Sequence, residues 1–307
     1  MSQKNNSRYR FALTIAGSDS GGGAGIQADL KAFAAVGAFG LSVITAVTAQ
    51  NTRSVNAIFP MGADAVNAQL NALISDFSID AIKTGMLFDA STIEAVTSCL
   101  SGLATPVVVD PVMIATSGAK LLDHSAISAY RPLIARATLL TPNLPEAQAL
   151  LGCDDINTRD EIFYAAHRLL EFGCQAVLLK GGHAPIGAGK RDQITDLLLI
   201  QTANGIHARW FVATRLNIRG HGTGCTLASL ITAFLARGLD LESATANAIK
   251  MLRNALNHAQ DIGIGQVHTP DPFFNAYRVP PPRADKLQNG SLDACQLAAD
   301  AAMIQKS

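Results

Sequence analysis

The sequence predicts an α/β protein: a three-layer α/β/α sandwich around a mostly parallel central sheet. Two observations carry this. Apolar runs of strand length alternate with stretches of helical periodicity between residues 63 and 180, the pattern of successive βαβ units. Apolar residues make up 49% of the 307-residue chain and charged ones 16%, enough to bury helices against both faces of a sheet. No internal repeat and no linker divides the chain. The reading is therefore one domain over residues 11–270, with a polar extension at 1–10 and a second extension at 271–307, where partial disorder is expected.

The elements follow in order. Residues 11–16 (FALTIA) read as a strand that breaks into the glycine-rich stretch 17–25. A helix follows, with Ile26, Leu30, Phe33 and Ala34 on one face. Residues 41–49 are almost continuously apolar, as in a strand buried on both faces. A short strand is expected at 54–59, and helices at about 63–77, 90–101, 124–135, 144–151 and 158–172. Between them lie strands at 81–84, 106–110, 137–141 and 176–180. Two closely spaced strands, 194–201 and 206–212, predict an antiparallel hairpin at one sheet edge. A buried helix begins near Thr226, and a last helix covers about 241–260. Past it, three prolines at 280–282 favour an extended path, and a small helix is expected within 292–304.

Several function classes are disfavoured. The formal net charge is zero, so no basic field points to nucleic acid or an anionic membrane. No apolar run reaches the roughly 18–20 residues that span a bilayer. The polar start, MSQKNNSRYR, is not a secretion signal. The five cysteines are scattered without a CxxC pair, which indicates reduced thiols and a cytoplasmic location rather than disulfides or a zinc site.

Ligands of an open parallel sheet bind at the carboxyl ends of its strands. Here those ends carry the loop 17–25, Gln50, Met86, Asp110, Asn143, Lys180 and the motif GHGTGC at 220–225. The last is a glycine loop feeding a buried helix, where free amides and the helix dipole favour an anion. Cys225, in the first turn, is expected to have a lowered pKa. The loop 17–25 fails the dinucleotide fingerprint, because Ile26 stands where the final glycine should be. The stretch around Gly189 and Lys190 fails the Walker pattern, because Arg191 follows the lysine.

These blocks together resemble a known family. AGSDSGGGAGIQADLKAFAAVGAFGLSVITAVTAQNT, KTGML at 83–87, DPVM at 110–113, TPNLPEA at 141–147, LLKGGH at 178–183 and GHGTGC at 220–225 occur in order. The resemblance is to the hydroxymethylpyrimidine/phosphomethylpyrimidine kinases of thiamine biosynthesis, within the ribokinase-like superfamily. It runs from about residue 11 to 265 and does not cover the tail. It implies ATP-dependent phosphorylation of 4-amino-5-hydroxymethyl-2-methylpyrimidine and then of its monophosphate. It also implies roles. The amides of Gly222, Thr223, Gly224 and Cys225 would form the anion hole, with Cys225 as the base. Lys180, Asn143 and Gly224 would meet ATP, and Asp110 and Glu146 would hold Mg²⁺. Gly17, Ala24, Asp29, Gln50 and Met86 would line the pyrimidine pocket. A homodimer is a family expectation. One position departs: Gly220 stands where the family usually has Thr.

Plainer roles stand beside these. Asn143 and Glu146 also make a good helix start, Asp29 suits any first turn, and Asp110 before Pro111 suits a turn. Met86 suits an ordinary core. His183 and His221 read as loop hydrogen-bonders, and residues 187–191 as a lid or a solvated loop. The nearest rival function is a pyridoxal or pyridoxine kinase on the same fold.

Overall fold

The computed structural model describes residues 9–113, 124–153, 155–181, 193–218, 220–259, 261–265 and 267–273. Backbone contacts divide the chain into Met1–Phe274 and Asn275–Ser307, and the described residues all belong to the first unit. The expectations for His183, for 187–191, for the prolines at 280–282 and for a helix in 292–304 lie outside the described residues.

The main strands are β1 Phe11–Asp19, β2 Phe39–Gln50, β3 Val55–Pro60, β4 Ile79–Thr84, β5 Val107–Val109, β6 Leu139–Leu140, β7 Ala176–Leu179, β8 Gln193–Thr202 and β9 Gly205–Thr214. They form one sheet in the order β3-β2-β1-β4-β5-β6-β7-β8-β9. From β2 to β7 neighbours run parallel, while β3, β8 and β9 are antiparallel additions at the two edges. The hairpin expected from residues 194–212 is therefore present.

Helices cover both faces. They are α1 Gly25–Val36, α2 Ala63–Asp76, α3 Ala90–Leu100, α4 His124–Ile127, α5 Tyr130–Ala135, α6 Leu144–Leu151, α7 Arg159–Leu170, α8 Thr223–Ala236 and α9 Leu241–Asn257. Strand alternation sorts the core into two layers. Leu13, Ile15, Ile82, Val107 and Val109 face α2, α3, α5, α6 and α7. Ala12, Ala81 and Val108 face α1, α8 and α9. Small residues dominate the second face, so α8 approaches the sheet closely and is buried along most of its length.

Three expectations change. The helix read over 124–135 is two short helices, α4 and α5. Pro132 has no N–H for the Ser128 carbonyl, which accepts from Arg131 N at 3.2 Å instead. Strand β2 is not buried on both faces throughout: Val47 is 41% exposed, because this end of β2 pairs with edge strand β3. After α9 a two-residue hairpin, Asp261–Ile262 with Val267–His268, forms where no element was read. It matters to the site, since His268 accepts from His221 N at 2.9 Å and so ties down the loop before α8.

Candidate active site

The order β2-β1-β4 places the chain reversal of the sheet at β1, and a cavity of about 1150 Å³ opens at the carboxyl ends of the parallel strands. Two glycine loops make its floor. Gly222 is the N-cap of α8 with φ 72°, and a Cβ there would lie 1.8 Å from the Gly23 carbonyl oxygen. Gly25, with φ 56°, opens α1, and its Cβ would lie 2.2 Å from the Gly17 oxygen. The loops thus pack backbone against backbone, which only glycine permits at such positive φ. As a result the N-termini of α1 and α8 converge. The Gly25 amide lies close enough to the Cys225 sulfur to favour its thiolate, and the first intrahelical bond of α8 is Thr226 N to Gly222 O at 2.9 Å. The amides of Thr223, Gly224 and Cys225 have no intrahelical acceptor and sit at the positive end of the dipole.

The charged groups come from strand ends. Lys180 Nζ lies 3.1 Å from Asp110 Oδ1, which also accepts from Thr141 Oγ1 at 3.0 Å. A Cβ on Gly224 would stand 3.3 Å from Lys180 Nζ, so the lysine sits directly beside the amide cradle. Glu146 is held by a reciprocal cap: Asn143 N donates to Glu146 Oε2 and Glu146 N to Asn143 Oδ1, both at 2.8 Å. The helix-start role and the cavity position of these two residues coexist. Burial raises the Glu146 carboxyl; Lys180 pulls it back and Asp110 adds to the rise.

Gly17, Ala24, Gln50, Met86, Asp110, Asn143, Glu146, Lys180, Gly222, Thr223, Gly224 and Cys225 all line this one cavity. Asp29 does not. It is fully buried beneath the floor, paired to Lys83, so the expected contact with a bound ring is corrected to a supporting role. The expected lowering of the Cys225 pKa is also corrected. Burial, with the Asp29 and Asp110 carboxylates, pushes the thiol up to about 11, against the pull of the Lys83 ammonium and the Gly25 amide. The helix terminus is outweighed because the sulfur is desolvated and faces two carboxylates.

Gly220 lines the cavity too, and a Cβ there would lie 2.8 Å from Thr223 Cγ2. A larger residue at this position would therefore bear directly on the cradle's first helical residue.

Several lining residues were not singled out from the sequence. Asp19 accepts from the amides of Gly21, Gly23 and Ala24 and lies 3.1 Å from His221 Nε2. Against the effect of burial, these contacts hold its carboxyl below the usual range. An Asp immediately before a glycine run is a turn signal of this kind. His221 is a loop hydrogen-bonder, as expected. Asp196, a lone carboxylate in an apolar strand, accepts from Gly181 N at 2.9 Å and is pushed up to about 6 by burial. The cavity lining also includes Val212 of β9, Leu216 and Ile218 just past it, and Ile249, Leu252 and Leu256 of α9, with Arg209, Arg215 and Arg253 among them. This part of the lining joins residues far apart in sequence and has no local motif.

Known proteins are similar to this chain in sequence and in fold. The chain is 46% identical over 256 residues to a "Thiamine biosynthesis bifunctional protein ThiED" of Geobacter sulfurreducens, covering 82% of this chain and 50% of that protein. It thus spans about half the length of that relative. It is 43% identical to a hydroxymethylpyrimidine/phosphomethylpyrimidine kinase of Rhizobium meliloti, covering 87% of this chain and 98% of the relative. Among solved structures, a Bacillus subtilis pyridoxal kinase in an ADP complex is 32% identical, with a TM-score of 0.78 over 86% of this chain and 98% of that one. The ribokinase-like sandwich expected from the sequence is borne out. A model of the family described as phosphomethylpyrimidine kinase matches residues 19–270, and the chain belongs to that family.

Proposed function

We propose that this protein transfers the terminal phosphoryl group of ATP to the hydroxyl of 4-amino-5-hydroxymethyl-2-methylpyrimidine, and then phosphorylates the monophosphate to the diphosphate. One observation carries the reading. The amide cradle of Gly222, Thr223, Gly224 and Cys225, with Lys180 beside it, shares one cavity with Gly17, Ala24, Gln50 and Met86 and with apolar residues of β9 and α9. Gly17, Ala24, Gln50 and Met86 suit a small ring with polar edges. Gln50 offers an amide to the aminopyrimidine edge, and Met86 offers a soft apolar surface. The apolar residues of β9 and α9 suit adenine. The phosphoryl chain then runs over the cradle, where fixed donors meet the charge that develops on transfer.

Mg²⁺ suits the donor set. Asp110 and Glu146 are 2% and 6% exposed, and each keeps one carboxylate oxygen outside the hydrogen bonds described above. Two carboxylates with phosphate oxygens and water make a hard oxygen environment. When bound, the ion would neutralise phosphate charge. The protein's own part is to align the nucleotide with Lys180 and to hold the alcohol at the cradle. In a loose transition state the alcohol proton leaves late. Cys225 lines the cavity at the cradle and would take it as thiolate; with a pKa pushed up to about 11 the thiol is mostly protonated at neutral pH, so only a small fraction is in the accepting form.

A coupled assay of ADP release tests the proposal, with the hydroxymethylpyrimidine first and its monophosphate second. Turnover with both is expected; none with either would refute it. The rival is pyridoxal phosphorylation, which the pyridoxal kinase likeness favours. A kcat/KM for pyridoxal at or above that for the pyrimidine would establish the rival. We further propose a single kinase domain over 11–270 and a cytoplasmic location. No described helix is long and apolar enough to cross a membrane. A homodimer is supported by Val47 and Phe59, paired across β2 and β3 and 41% and 60% exposed.

A further inference from the structure

Asp29 and Lys83 lie beneath the cradle, and the function proposed above uses neither. Lys83 Nζ is 2.8 Å and 2.9 Å from the two carboxylate oxygens of Asp29, and both side chains are fully buried. Asp29 Oδ2 also accepts from Thr14 Oγ1, and Oδ1 from Ser229 Oγ, each at 2.6 Å. The carboxylate is therefore saturated by groups from β1, β4 and α8. Ser229 lies one turn beyond Cys225 on α8, so the network meets the helix that carries the cradle.

As a unit the pair is neutral, but it is oriented. Lys83 forms part of the cavity lining and Asp29 does not. Gly85 packs against the ammonium, and a Cβ there would lie 3.0 Å from Lys83 Nζ. Against the cost of burial, the Asp29 and Asp110 carboxylates stabilise the charged ammonium. Apolar residues could fill the same volume without desolvating two charges, so packing alone does not account for an ion pair here.

We propose that Lys83 is a positioning residue for phosphoryl transfer: held by Asp29, its ammonium is the positive end of a fixed buried dipole turned toward the cavity that holds the 222–225 cradle, adding to Lys180. In a desolvated site such a dipole acts over several ångströms with little screening. No bond to Lys83 forms or breaks. The inference rests on the reading of 222–225 as the phosphoryl cradle.

The decisive experiment is the double variant Lys83→Met/Asp29→Leu, which removes both charges at similar volume and is expected to fold. Its kcat should fall about 10²-fold, with KM for ATP and for the pyrimidine changed less than about threefold. A folded double variant with kcat within about threefold of wild type would overturn the proposal and leave the pair as scaffold. Asp29→Asn is the second arm, read by inhibition with inorganic orthovanadate. It keeps the shape but strips Lys83 of its counter-charge, so inhibition should tighten about tenfold. Unchanged or weaker inhibition would equally count against it. Lys180→Met is the control for the underlying reading. If wild type releases no ADP with any of these alcohols, the kinase reading fails. If wild type turns over, Lys180→Met does not and the double variant does, only the Lys83 inference fails.

Discussion

Two lysine–aspartate pairs stand at the carboxyl ends of the parallel strands, and they differ in one respect. Lys180–Asp110 is open to the cavity: its lysine side chain is 14% exposed, at 3.1 Å from its partner. Lys83–Asp29 is sealed, with both side chains at 0% and a separation of 2.8 Å. The open pair can exchange its partner for a ligand, because Lys180 borders the cavity and Asp110 keeps the Thr141 hydroxyl when the lysine turns to a phosphate. The sealed pair cannot. Its carboxylate is saturated by four hydrogen bonds, and its role is to fix a charge where it is. The same two residue types thus serve as a movable contact in one place and as a permanent field in the other, and burial decides which.

The largest expected effect breaks the sealed pair. Asp29→Ala leaves Lys83 charged and unpaired in the core and should cost about 3–5 kcal/mol of stability, read as a lowered urea midpoint with an unchanged slope. A cost below about 1 kcal/mol would show that the pair is not sealed. Lys180→Met should act mainly on turnover, with kcat falling about 10²–10³-fold, and its stability cost should stay below that of Asp29→Ala because Thr141 still donates to Asp110 beside an open cavity. A variant that unfolds instead would erase the contrast.

Cys225 lies under the influence of both pairs. Its pKa of about 11 means that the reactive thiolate fraction grows as pH rises. Accordingly kcat/KM, which reports groups of the free enzyme, should climb between pH 7 and 9 in wild type. In Cys225→Ala it should be lower by about 10²-fold and nearly flat. A flat wild-type profile would remove the thiol from proton transfer.

The smallest effect concerns Asp196, which anchors the turn after Lys180. Its carboxyl is raised from 3.8 to about 6 by burial, so the folded state favours the neutral form. The stability from that neutral form is fully present below about pH 4 and is lost as pH rises through 6. Asp196→Asn, which can still accept from Gly181 N, should therefore be more stable than wild type above pH 6 by about 1 kcal/mol. The difference should vanish near pH 4. Thermal melts at the two pH values decide it, and an Asn variant less stable at pH 7 would contradict the assignment.

Much of this was legible from residues 11–265. The alternation of apolar runs with helical periodicity is set by local chemistry, and so are the glycine turns and the Asn143–Glu146 cap. Those elements appear where the sequence puts them. The cradle was legible for the same reason, since a glycine loop before a buried helix is a local object. The break at Pro132 was available too, because a proline lacking an N–H is visible in the sequence.

Other features were decided by tertiary structure. Asp29 looked like a ring ligand because it opens a helix next to the first loop. It became a core anchor only when the fold brought Lys83, 54 residues away, and Ser229, 200 residues away, to its two oxygens. Cys225 looked activated because its own helix favours a thiolate; its carboxylate neighbours and its burial, contributed by α1 and β5, reversed the sign. The part of the lining shared by β9 and α9 has no motif at all. The sequence by itself determined the elements, the strand ends and the chemical inventory, since these depend on near neighbours along the chain. The tertiary structure decided which charges are sealed, which are free to meet a ligand and what protonation each prefers, because desolvation and Coulomb interactions depend on neighbours in space.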